Sequence, residues 1–181
     1  MWAVLIASLA WPILTPPEAV GETETERGYR IKVAFLLNFA SLVKWPEESF
    51  KDSESSFVIC HLGGSQTRAL FDTSYADRMV RRHPIAVQHP SHARDVLGCH
   101  IIMITAERSE QAAGFISVVA GKSILTIGET EGFALSGGMI GFYNEGTKIR
   151  FEINLDAAKN ARLRISSRLL QLARLVSSDW E

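Results

Sequence analysis

The run His100-Ile101-Ile102-Met103-Ile104 restricts the fold more than any other part of the chain, because it is apolar on both sides of a would-be strand. Successive strand residues point to opposite faces, so such a run needs cover above and below, which is the condition of a central strand in a parallel sheet. The segments around it agree. Phe57-Val58-Ile59-Cys60-His61-Leu62 is a β-rich run ended by Gly63-Gly64-Ser65, and Gln66 to Phe71 then reads as a helix with Ser65 as its cap. Ile85-Ala86-Val87 and Ser123-Ile124-Leu125-Thr126-Ile127 supply two more strands, with a helix over Ser109 to Val119, closed by Gly121, before the last. This alternation predicts an α/β protein with a mostly parallel, doubly wound sheet flanked by helices.

The ends of the chain extend that frame. From Glu24 to Val43, Ile31, Ala34, Phe35 and Leu42 recur at helical spacing beside a second row at Val33, Leu36, Leu37 and Ala40, which predicts a helix buried on more than half its circumference. It should stop at Trp45, because Pro46 disfavours helical geometry in its predecessor. Near the other end, Met139 to Tyr143 and Lys148 to Asn154 flank Asn144-Glu145-Gly146-Thr147 and read as a β-hairpin. In its second strand Ile149, Phe151 and Ile153 make a core face, and Lys148, Arg150, Glu152 and Asn154 a polar one. Leu155 to Leu163 and Ser167 to Val176 are read as two terminal helices, the last with Leu169, Leu172, Ala173 and Val176 along one stripe.

A length of 181 residues fits one domain, and 46% apolar against 22% charged residues is a globular mixture. The 19 basic and 20 acidic side chains nearly cancel, leaving no positive field to hold a nucleic acid. Met1 to Leu14 is uncharged and apolar apart from Ser8, too short for a span of roughly 20 residues, and is followed by the small-residue run Ala19-Val20-Gly21. The expectation is an export signal over residues 1–21, lacking only the usual positive opening, and a single mature domain over 22–181 in the periplasm. In an oxidising compartment the only two cysteines, Cys60 and Cys99, are expected to pair, two buried free thiols being the alternative.

Catalysis finds little support. Cys60-His61 and Cys99-His100 carry the residue types of zinc sites and thiol enzymes, but strand neighbours face opposite ways and do not converge on one ion. His83, His89 and His92 sit around Pro84 and Pro90 with no carboxylate cluster. There is no phosphate-binding Walker loop, no nucleophile elbow and no marked carboxylate pair, so no catalytic residue, metal or cofactor is assigned. Gly63, Gly64 and Ser65 could present backbone N–H groups to an anion, which makes them the candidate ligand site. The signal is weak, and a tight turn accounts for them better, since the dinucleotide fingerprint is incomplete.

Three segments carry a resemblance. Tyr29-Arg30-Ile31-Lys32-Val33-Ala34-Phe35-Leu36-Leu37-Asn38-Phe39-Ala40 with Trp45-Pro46 resembles the opening of YfiR-like periplasmic proteins. Gly137-Gly138-Met139-Ile140 through Arg150-Phe151-Glu152-Ile153-Asn154-Leu155, then Ala157-Ala158 and Leu163-Arg164-Ile165-Ser166-Ser167-Arg168-Leu169-Leu170, is similar to that family's C-terminal signature. Cys99-His100-Ile101-Ile102 and Leu125-Thr126-Ile127-Gly128 fit its middle. The resemblance implies a periplasmic protein that represses a membrane-bound diguanylate cyclase by docking on its periplasmic sensor domain, lowering cyclic-di-GMP and biofilm formation. It further implies a Cys60–Cys99 disulfide through which redox state could act, although the second cysteine pair of some members is absent from Ser136 to Ile153. A small-molecule-binding module without a cyclase partner is the alternative on the same fold. Leu170 and Leu175, off the main stripe of the last predicted helix, are the candidate partner-binding residues, with a core role as the competing reading. A homodimer is left open.

Overall fold

The computed structural model describes residues 24–177. The expected export signal over 1–21 lies outside the described residues.

Helix α1 (Glu24–Leu42) passes straight into a two-residue strand, β1 (Val43–Lys44), so the chain leaves the helix just before Trp45-Pro46. β2 (Phe57–Leu62), α2 (Ser65–Tyr75), β3 (Met79–Val80) and β4 (His83–Gln88) follow. A 3-10 turn, Ala93–Gly98, leads to β5 (Ile101–Ile104). A second one, Ala106–Gln111, runs into α3 (Ala112–Val119), which Gly121 closes at φ +70°, and β6 (Leu125–Gly128) comes next. β7 (Ile140–Glu145) and β8 (Lys148–Asn154) form the hairpin around Gly146 and Thr147 alone, a tighter turn than expected. α4 (Leu155–Asn160), β9 (Arg164–Ile165), α5 (Ser167–Leu170) and β10 (Arg174–Val176) complete the order.

Eight strands form one sheet in the order β10-β8-β7-β6-β5-β2-β4-β3, and β1 pairs with β9 in a small antiparallel ribbon. The run β7-β6-β5-β2-β4 is parallel throughout, as its apolar strands require. Alternation sorts its residues into two cores. Phe57, Ile59, Ile101, Met103, Leu125 and Ile127 pack under α1 and α2, while Cys60, Leu62, Ile102 and Ile104 pack under α3 and the Ala93–Gly98 turn. The sheet is therefore covered on both faces, as the sequence predicts.

One expectation at the C-terminal end is overturned. The last helix stops at Leu170, and Arg174–Val176 instead adds a parallel strand beside β8. Leu172, assigned to its apolar stripe, is 67% exposed. The open edge of β8 supplies backbone partners that a further helical turn would forgo. The polar face of β8 is divided, with Lys148 and Arg150 exposed and Glu152 and Asn154 buried. Glu152 is buried and ion-paired with Arg174, and Asn154 is fully buried, its Nδ2 donating to the Ala134 carbonyl at 2.9 Å while its Oδ1 caps α4 through the Ala157 N–H at 3.0 Å.

Candidate functional site

The topology marks one place for a site. From β2 the chain crosses to β4 through α2 on the α1 face, then returns to β5 and on to β6 by way of α3 on the opposite face. β2 and β5 are neighbours whose connections leave in opposite directions, and a crevice opens outside their carboxyl ends.

His61 dominates this crevice. It is 1% exposed, stacked on Phe71 with ring centroids 4.1 Å apart and edge-on to His89 at 5.5 Å. Neither ring nitrogen has a hydrogen-bond partner among the described residues, and burial, with His89 and Arg68 adding to it, pushes the imidazole down to about 4. The Thr105 hydroxyl at the end of β5 is buried beside the Tyr29 hydroxyl. Beyond it, Glu129 accepts from Lys32 Nζ at 2.8 Å and from the Ala106 N–H at 3.2 Å. The Lys32 ammonium also lies 5.2 Å from the Tyr29 ring centroid, and burial together with the Glu129 charge raises the Tyr29 hydroxyl well above its ordinary value.

The three candidate ligand residues part company here. A side chain at position 63 would overlap the His61 ring, its Cβ falling 2.5 Å from that ring and 2.7 Å from Thr105 Cγ2, so glycine is what lets the backbone lie against the imidazole. At position 64 the obstacle is the Glu107 carboxylate, which already faces the start of α2 and occupies the approach an external anion would use. Ser65 is the first residue of α2 and exposed; Gly64 is the cap, with no side-chain bond, which corrects the expected serine cap. Sequence reasoning missed His61, Arg68 and Arg108 as a group. The available signal was a polar residue at an inward position of a central strand.

The amino ends of the same strands are built differently. Cys60 and Cys99 are disulfide-bonded with Cα atoms 5.8 Å apart, tying β2 to the entry of β5, and both are buried in the core under α3. His100 accepts the Val58 N–H at Nδ1 (3.0 Å), so its proton is on Nε2, which donates to the Ser49 carbonyl at 3.1 Å. Phe50 and Phe57 stack on the ring, with centroids 4.6 and 4.9 Å away, and burial lowers its pKa. Period-two geometry keeps Cys60 and His61 on opposite faces, and no group of three His, Cys, Asp or Glu side chains is placed to hold a metal among the described residues. No described helix is long and apolar enough to cross a membrane.

Of the two candidate docking residues, Leu175 is 54% exposed on edge strand β10, whereas Leu170 is half-buried against the main core.

A family model described as YfiR/HmsC-like matches residues 29–174, from the second turn of α1 to the first residue of β10. The chain belongs to the YfiR/HmsC-like family. At the family level this match supports a periplasmic, regulatory role. No curated protein matches the chain. Among solved structures, YfiR-like residues here are similar in fold to a conserved domain protein from Vibrio cholerae O1 biovar El Tor, with a TM-score of 0.58, 10% identity and coverage of 81% of this chain and 59% of that one. A ligand-free, open substrate-binding protein with adhesive properties from Clostridium difficile gives a TM-score of 0.49, again at 10% identity with coverage of 81% and 59%. The chain thus spans about 59% of the length of both, and the first likeness bears on the fold alone.

Proposed function

We propose that this protein, exported and cut near Glu22 to leave one domain, docks on the periplasmic sensor domain of a membrane-bound diguanylate cyclase and represses it, lowering cyclic-di-GMP and biofilm formation. The observation that carries the reading is the family match over residues 29–174, which takes in every strand of the sheet but β10, of which it reaches only the first residue, together with the C-terminal signature. The bound face is assigned to the C-terminal edge, where Leu172 and Leu175 expose 67% and 54% of their surface on and beside β10. Apolar side chains beside an open strand edge favour a protein partner, through strand addition or simple burial.

Membrane pull-down with a tagged chain tests this. The wild type should retain a membrane protein carrying a cyclase domain, and Leu175→Asp should lose it while the melting temperature barely moves. Leu170→Asp sets a charge against the core and should cost roughly 2 to 3 kcal/mol of stability. If Leu175→Asp retains the partner and represses normally, β10 is not the docking edge. If the wild type retains no cyclase, the partner assignment fails.

A further inference from the structure

The docking reading leaves the carboxyl-end crevice unused, and that crevice is unusual in its chemistry. A neutral imidazole always carries one N–H and one lone pair, and His61 has both left over at 1% exposure. The cavity beside it, about 20 Å³, is lined by His61, Gly63, Arg68, Ser91 and Arg108 among others, with no carboxylate on its wall. Arg68 comes from the first turn of α2 and Arg108 from the 3-10 turn after β5, so two separate elements bring guanidinium groups to one mouth. Both are exposed, and neither makes an ion pair with a carboxylate among the described residues; Arg108 Nη1 donates only to Gln111 Oε1, at 3.1 Å. Of the nearby carboxylates, Asp72 is bonded to His89 at 2.7 Å, and Glu107 lies beside Gly64 at the start of α2 rather than on the cavity wall.

We propose that this cavity binds the oxyanion group of a small solute, a phosphate or a carboxylate, gripped by Arg68 and Arg108 with one oxygen entering to meet the His61 ring. Two unpaired guanidinium groups at one mouth repel each other until an anion bridges them, and their fork geometry suits an oxyanion. The enclosed volume admits about one oxygen-sized atom, since a water needs roughly 10 to 15 Å³, so the rest of the ligand stays at the surface. The crevice is also where open α/β sheets receive ligands.

The test uses purified mature protein without any cyclase, so its failure leaves the docking reading untouched. Melting temperature is followed while inorganic phosphate, or acetate, replaces chloride at constant ionic strength. At least one of the two should raise Tm in a saturable way. Arg68→Gln and Arg108→Gln should each weaken that binding about tenfold, while Arg94→Gln, outside the cavity, should not. His61→Phe, which fills the same space without polar atoms, should melt normally and lose the response. A response to phosphate alone assigns a phosphorylated solute; one that acetate also elicits assigns a carboxylate. The proposal is overturned if neither anion exceeds chloride, or if either arginine variant or His61→Phe responds as the wild type does.

Discussion

Two buried histidines, each following a cysteine in the sequence, sit at opposite ends of neighbouring strands and are treated in opposite ways. His100, at the amino end, spends both ring nitrogens on backbone groups and packs against two phenylalanines. His61, at the carboxyl end, stacks on Phe71 and spends neither. The amino rim, with its disulfide and its satisfied imidazole, is a closed structural joint. The carboxyl rim keeps unpaired polar atoms beside two exposed arginines, the kind of local inconsistency that proteins retain where something binds.

The largest effect should come from the joint. Replacing Cys60 and Cys99 with alanine removes a cross-link of sequence separation 39 and should cost about 4 kcal/mol in denaturant unfolding. A loss under about 1 kcal/mol would mean that the amino rim is held by packing alone.

Acid should come next. The His61 imidazole titrates at about 4 in the folded chain against an ordinary 6.5, and that of His100 is also lowered. The unfolded chain therefore binds more protons between those values, and stability falls as pH drops through that window, by roughly 3 kcal/mol for His61 alone. His61→Phe should flatten that part of the profile; an unchanged slope would remove His61 from the acid response.

A smaller and sharper contrast is the swap of each ring for phenylalanine at neutral pH. His100→Phe strands the Val58 N–H and the Ser49 carbonyl and should cost roughly 2 kcal/mol or more. His61→Phe strands nothing and should fall within about 1 kcal/mol of the wild type. Equal losses in thermal melts would break the comparison between the two rims.

How far the sequence reached follows the same line between local and distant causes. β2 and β5 were legible because two apolar faces leave a strand few other places to go. The terminal segment misled because Leu169, Leu172, Ala173 and Val176 fit a helical stripe, and only the open edge of β8, decided by the whole sheet, turns Arg174–Val176 into a strand. That Glu152 and Asn154 are buried did not show, because their partners, Arg174 and the Ala134 carbonyl, are remote in sequence. At the candidate site, Gly63-Gly64 announced a turn. The orphaned state of His61 did not show, since it depends on what Phe71, Gly63 and Thr105 leave around the ring.

The account's central claim is that the chain regulates by binding rather than by turnover, and cyclic-di-GMP measured in intact cells tests it most directly. Deleting the gene should raise the second messenger, and restoring the wild type, but not Leu175→Asp, should bring it back down, with the purified protein turning over no nucleotide. Cyclic-di-GMP that stays level in both the deletion and an overproducing strain would contradict the claim.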